Sequence, residues 1–286
     1  MSGAEVGSTS LEYIPQKPRS EFKRRIDTGT AGSISLIAQT IIPISIFAGL
    51  SLDVELIGGT EVPNAPTIDY IVRIVRPVYE MLGAELSIEI ERRGYYPRGG
   101  GIVRIQCKPG EVPCRDIELV SEKKFAPKES EVSVLTISRS LPDHVARRQL
   151  ESARALLRSA GYSNVRETCD SSGPALSPGS SILVTSGLVG ASSLGDRGKR
   201  AETVGEEAAG NFIQEFDCNP GVDSHLADML VTLIPCGKGS GLFTTPRITE
   251  HFKTNVEVVR KFIPDCNFEL TAPNGEGSCW KVSVVR

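Results

Sequence analysis

Apolar residues recur along this chain at two spacings, and the switches between them mark out its elements. Ile34, Ile37, Ala38 and Ile41 have helical spacing, with Ser33 placed to cap the helix they predict. Over 51–57, Leu52, Val54 and Leu56 alternate with polar residues, the signature of a half-buried strand. Gly58-Gly59-Thr60 ends that strand and a proline-rich loop follows at 62–66. Helical spacing returns over 68–82 through Ile71, Ile74, Val75, Val78 and Leu82, with Pro77 expected to kink the helix. Residues 85–91 and 102–106 read as strands joined by the glycine-rich turn 94–101. The stretch 51–106 therefore predicts a β-α-β-β unit, layered α/β with an antiparallel hairpin.

The middle of the chain has a different texture. Strands are predicted at 132–137, 165–169 and 182–186, and helices at 142–160 and 201–216. Between them, 170–181 reads as a Ser/Gly/Pro loop and 190–199 as a small, polar, basic stretch. This run predicts a separate module near 130–217. Beyond it, 223–233 reads as a helix, 242–245 as a short strand, 255–262 as a helix and 280–285 as a closing strand. No short-period repeat of the solenoid kind is present.

Composition narrows the picture. With 286 residues, 40% hydrophobic and 23% charged, the chain suits one large domain or two ordinary ones with packed cores. Its longest apolar run, near 41–52, is broken by Pro43, Ser45, Gly49 and Ser51, which excludes a membrane-spanning helix there. The start, Met1-Ser2-Gly3-Ala4-Glu5, lacks the basic and apolar regions of a secretory leader. A net charge of -3 excludes holding nucleic acid through bulk positive charge; a local patch or a grip on one end would be needed. Seven scattered cysteines, without a Cys-x-x-Cys, predict free thiols in a reducing cytosol.

Three histidines are the candidates for nucleophilic or base chemistry near neutral pH. His144 reads as a solvated first-turn residue. His225 and His251 fall in the last third, His251 just ahead of the helix predicted at 255–262, where an anion would be favoured. No dinucleotide fingerprint follows a strand. The run Gly190 to Lys199 lacks the hydroxyl residue a phosphate loop requires after its lysine.

Four ordered blocks between Gly3 and Pro264 carry a resemblance. They are Ile26-Asp27-Thr28-Gly29-Thr30-Ala31-Gly32-Ser33 with Gln39, and Gly58 to Pro66 with Asp69-Tyr70. Then come Glu91-Arg92-Arg93-Gly94-Tyr95-Tyr96-Pro97-Arg98-Gly99-Gly100-Gly101, and His225-Leu226-Ala227-Asp228 followed by His251-Phe252-Lys253-Thr254-Asn255. The chain thereby resembles the RNA 3'-terminal phosphate cyclase family. The resemblance implies an α/β (α+β) fold. A large domain of repeated βαβαββ units is expected over 1–129 and 218–286, with a smaller α/β domain, 130–217, inserted before the last unit. It also implies ATP-dependent conversion of an RNA 3'-phosphate to a 2',3'-cyclic phosphate through an adenylyl-histidine, with Mg2+ or Mn2+ on the triphosphate. On this footing His251 is the nucleophile. Gln39, Pro66, His225, Leu226, Ala227, Asp228 and Met229 contact ATP, and Asp228 is a candidate metal ligand. Arg92, Arg93 and Arg98 are candidate RNA contacts, beside a purely structural reading of their turn.

The family's opening segment, with Asp-Gly-x-x-Gly-Glu-Gly-Gly-Gly-Gln-Ile-x-Arg, has no match here, so the resemblance implies that most of a first unit is missing. Either the start is assigned too far downstream, or the chain is truncated, or part of the site is lost. Two alternatives stay open: a non-catalytic relative of the cyclase-like ribosome-biogenesis proteins, and an inactive truncated cyclase. The expected partner is an RNA 3' end bearing a phosphate, with no membrane. The expected setting is the cytoplasm, or the nucleus in a eukaryote. The oligomeric state stays open, a homodimer among the choices.

Overall fold

The computed structural model describes residues 2–17, 20–110, 116–121, 127–237, 239–275 and 277–286. The first sheet is built by β1 (Glu21–Asp27), α1 (Ile34–Ala48), β2 (Ser51–Gly58), α2 (Ile68–Tyr70), a π-helical turn (Ile71–Val75), α3 (Arg76–Met81), β3 (Ala84–Arg92) and β4 (Gly101–Pro109). Its strand order is β1-β2-β4-β3, with β1 parallel to β2 and the other pairs antiparallel. Leu52, Val54 and Leu56 of β2 and Val103 and Ile105 of β4 are buried in the same core as both helical segments. Ser33 caps α1 by accepting the Leu36 N–H. Pro77, expected to kink the second helix, falls in the first turn of α3, straight after the π turn.

β5 (Ile117–Leu119) opens a second unit, which is interrupted at once. Residues 132–216 build a sheet and core of their own from β6 (Val132–Arg139), α4 (His144–Ser159), β7 (Val165–Asp170), β8 (Gly179–Ser186), β9 (Val189–Leu194) and α5 (Ala201–Phe216). The strand order is β7-β6-β8-β9, and Tyr162, Phe212 and Phe216 fill the space beneath the two helices. The second unit then resumes with α6 (Ser224–Cys236), β10 (Gly241–Thr245), α7 (Glu250–Phe262), β11 (Asn267–Thr271) and β12 (Trp280–Val285).

Its sheet runs β5-β10-β12-β11, with β5 parallel to β10 and the rest antiparallel. Strand for strand, this repeats the first sheet. The molecule thus contains two copies of one β-α-β-α-β-β topology, and the α/β fold class is as expected. The insertion lies inside the second unit, after its first strand, rather than ahead of it.

Four strands escape the apolar pattern. β1 is an edge strand whose Lys23 and Arg25 lie in register with Asp53 and Glu55 of β2 and pair with them, so it reads as a charged loop. β9 consists largely of Gly, Ala and Ser; it occupies the first half of the polar stretch at 190–199. β5 and β11 are short edge strands. Helix α7 begins at Glu250, five residues ahead of the prediction, because Thr249 caps it by accepting the Phe252 N–H at 2.9 Å. The expectation of seven free thiols is also overturned. Cys218, at the exit of the insertion, and Cys279, ahead of β12, lie with Cα atoms 5.5 Å apart and form a disulfide. Sequence spacing could not reveal this, because the fold brings residues 61 positions apart together. Cys107, Cys169, Cys236 and Cys266 are free, and Cys114 lies outside the described residues.

Candidate active site

A cleft of about 2320 Å³ opens between the first unit, the insertion and the end of the second unit. The first unit contributes Leu36, Gln39, Pro43 and Phe47 of α1, the 61–66 loop and Tyr95 to Pro97. The opposite wall is the β9–α5 connection with the exposed side of α5, and the floor is made by His225, Asp228 and Met229 of α6 with Arg247, His251 and Asn255.

The floor is organised around Asp228. Its Oδ1 accepts the Thr249 hydroxyl at 2.6 Å, and its backbone oxygen accepts from Asn255 Nδ2 at 2.9 Å. These two bonds fix the start of α7 against α6 and place His251, in the first turn, at the cleft surface with its imidazole exposed. Burial raises the Asp228 carboxyl above its usual range, tempered by the Thr249 hydroxyl and by the nearby His225, His251 and Arg247. Glu215 accepts from Arg247 at 2.5 Å and from both the backbone and hydroxyl of Ser224, which holds the guanidinium at the cleft floor. An imidazole, an arginine and a helix N-terminus facing one space suit a phosphorylated ligand.

Gln39 reaches the cleft from the other unit. Its Nε2 is buried without a hydrogen-bond partner in a residue that lines the cleft. Pro66 is half-buried along the same wall. Gln39 and Met229 are each the sixth residue of the first helix of their unit, counting from the caps Ser33 and Asp223. The pseudo-repeat therefore brings both to the same cavity.

Other candidates lie elsewhere. Leu226 and Ala227 are fully buried in the core, on the side of α6 turned away from the cleft. Arg93 is not on the surface. It is buried between Glu61, 2.6 Å from its Nη1, and Asp69, which it grips with both nitrogens. Burial works against the Arg93 charge, yet the two carboxylates hold it well above its usual value. Burial also pushes Glu61 up to about 7 despite the guanidinium beside it. Arg93 thus faces two carboxylates, one of which shares its charge with a proton near neutrality. Arg92 is half-buried and donates from Nε to Gly100 O at 2.7 Å, so it braces its own turn. Arg98 is exposed. His144 begins α4, outside the cleft lining.

Asp223, which the sequence marks only as the start of the 223–233 helix, ties the three parts together. Its carboxylate accepts the Leu226 N–H at 2.8 Å, the Tyr70 hydroxyl at 2.7 Å and the Gly190 N–H at 2.9 Å. One buried group therefore bonds the first unit, the second unit and the insertion, and burial raises its pKa to about 6. Among the described residues, no three His, Cys, Asp or Glu side chains converge as metal ligands. Asp228 alone does not make a protein-held metal site.

The sequence pattern of the family described as RNA 3'-terminal phosphate cyclase matches residues 1–270. A protein of that name from Methanococcoides burtonii is 37% identical over 274 residues, covering 96% of this chain and 79% of the relative. One from Sulfolobus acidocaldarius is 39% identical over 267 residues, 92% of this chain and 76% of its own. One from Archaeoglobus fulgidus is 37% identical over 263 residues, 92% and 77% respectively.

Proposed function

Since this chain belongs to the RNA 3'-terminal phosphate cyclase family, we propose that it converts an RNA 3'-phosphate into a 2',3'-cyclic phosphate at the expense of ATP, with His251 as nucleophile. In the first step an imidazole nitrogen attacks the α-phosphorus, a P–N bond forms, the α–β P–O bond breaks and pyrophosphate leaves. An oxygen of the RNA 3'-phosphate then displaces the histidine and takes the AMP. Finally the neighbouring 2'-oxygen attacks the RNA phosphorus, its proton passes to solvent, the ring closes and AMP leaves. Imidazole suits the exchange: it is nucleophilic near neutral pH, and its phosphoramidate passes the nucleotide on.

The observation that carries this reading is the placement of His251. It stands exposed at a helix N-terminus, pinned through Thr249 to Asp228, in the same cleft as the unpartnered amide of Gln39. Gln39, Pro66 and Met229 then line the nucleotide's path, and Arg247 and the first turn of α7 meet its phosphates. Mg2+ or Mn2+ would arrive on the triphosphate, since the described residues hold no cluster of metal ligands. A cytoplasmic setting, proposed from the family, must be one that leaves Cys218 and Cys279 bonded. Among the described residues no helix is long and apolar enough to cross a membrane.

The test is incubation with α-labelled ATP and divalent metal. Acid-labile label should appear on the wild type and be absent from His251→Asn. Label retained by the variant would refute the nucleophile. A wild type that never labels, yet binds the RNA end, would favour the non-catalytic relative.

A further inference from the structure

Five aromatic side chains line the cleft: Phe47, Tyr70, Tyr79, Tyr95 and Tyr96. Tyr70, Tyr79 and Tyr95 are buried and Phe47 is half-buried, whereas Tyr96 is 73% exposed. Its neighbour Tyr95 anchors the turn by lying flat on Gly179 of the insertion, where a Cβ would come within 2.1 Å of the ring. Alternation along the turn then sends Tyr96 outward.

The backbone carrying Tyr96 is fixed from several sides. Gly99 N–H donates to Tyr95 O at 2.8 Å, and Arg92 Nε to Gly100 O at 2.7 Å. Arg98 N–H donates to Ser177 Oγ of the insertion at 3.3 Å. At the base of the turn, Gly94 packs so closely that a Cβ there would lie 2.2 Å from Gly58 O. A large ring is thus held open to solvent on a braced scaffold at the mouth of a cleft, with the exposed Arg98 two residues on. Such pre-organised presentation lowers the ordering cost of binding a flat partner.

We infer that Tyr96 is the stacking platform for the 3'-terminal base of the RNA, and that Arg98 meets a phosphate on the 5' side of that base. The inference rests on the RNA-end reading above. A 3'-terminal base has no stacking neighbour on its 3' side, so one of its faces is open. Single-stranded RNA is held characteristically by aromatic stacking and by arginine on its backbone. Stacking needs no bulk positive charge, which fits a chain of net charge -3. It also tolerates any base while favouring purines, whose faces are larger. The phenolic hydroxyl has no part in it, so phenylalanine should serve as well.

The experiment is a binding titration with a 3'-phosphorylated oligoribonucleotide whose terminal base is 2-aminopurine, with no turnover required. Wild type and Tyr96→Phe should bind alike and quench the fluorophore. Tyr96→Ala should bind roughly 5- to 150-fold more weakly, without the quench. An oligonucleotide with an abasic terminus should bind the wild type more weakly by the same factor and be indifferent to Tyr96→Ala. Equal affinity and equal quenching by Tyr96→Ala would overturn the inference while leaving the cyclase reading intact. So would a weakened ATP affinity with unchanged RNA affinity, which would put the adenine of ATP on the ring. A wild type that does not bind the RNA end at all would overturn both.

Discussion

Asp69 and His251 hold the same place in the two copies of the β-α-β-α-β-β unit. Each is two residues past a threonine cap, Thr67 or Thr249, and each precedes a buried aromatic, Tyr70 or Phe252, whose N–H that threonine accepts. In the first unit the position is buried and occupied by a carboxylate clamped to Arg93. In the second it opens into the cleft as an imidazole. The same backbone device thus serves cohesion in one copy and chemistry in the other.

The two caps should therefore respond differently to removal. Thr67→Ala and Thr249→Ala should each cost about 1 kcal/mol of stability, read from urea midpoints. Only Thr249→Ala should also slow histidine labelling by ATP, because it frees Asp228 and unpins the start of α7. Thr249→Ser should restore both. Equal labelling rates for the two alanine variants would separate His251 from its tether.

Glu61 makes the fold pH-sensitive in a definite direction. Its folded pKa of about 7 lies above the usual carboxylate value of 4.5. The native state therefore binds more protons than the unfolded state between these limits, and stability falls as pH rises through them. The full effect is about 3 kcal/mol at most. Asp223 acts the same way up to about pH 6 and Asp228, also raised by burial, acts in the same sense, so substitution isolates the part of Glu61 over the stretch from 6 to 7. Glu61→Gln should flatten the decline of the urea midpoint over that stretch; an unchanged slope would contradict the assignment.

Arg93 should behave as a structural residue. Removing it leaves Glu61 and Asp69 buried without their cation, a loss of about 3–5 kcal/mol. Arg93→Met should lower the melting temperature sharply, while RNA affinity measured below that temperature stays near wild type. Arg98→Ala should do the reverse.

Gln39 carries an unsatisfied donor, so its replacement by the apolar Met should leave stability unchanged or raise it by up to about 1 kcal/mol. The same change should raise KM for ATP several-fold. Destabilisation instead would mean that the amide is held by the protein.

Reduction of Cys218–Cys279 should destabilise the chain by about 2–4 kcal/mol, because the bond closes a long loop. Thermal melts with and without dithiothreitol should differ for the wild type and coincide for Cys218→Ser.

Much of this fold is legible in the sequence because burial imposes period. The Ala201–Phe216 helix and the β2 strand have one face in the core and show it. What stayed hidden lacks that asymmetry. β1 spends its side chains on ion pairs with β2, β9 is built of residues too small to register, and the first turn of α7 is set by the Thr249 cap, which leaves no mark on the apolar period. The site was readable as separate blocks whose residue types suit a nucleotide. That Gln39 and His251 face one space, that Leu226 and Ala227 turn away from it and that Arg93 is sealed follow only from the packing of two units around an insertion.

The bonds converging on Asp223 have a mechanical consequence. Tyr70, Gly190 and Leu226 belong to the first unit, the insertion and the second unit, and all three are fastened to one carboxylate. A single change at position 223 would then be felt in the first unit, the second unit and the insertion at once.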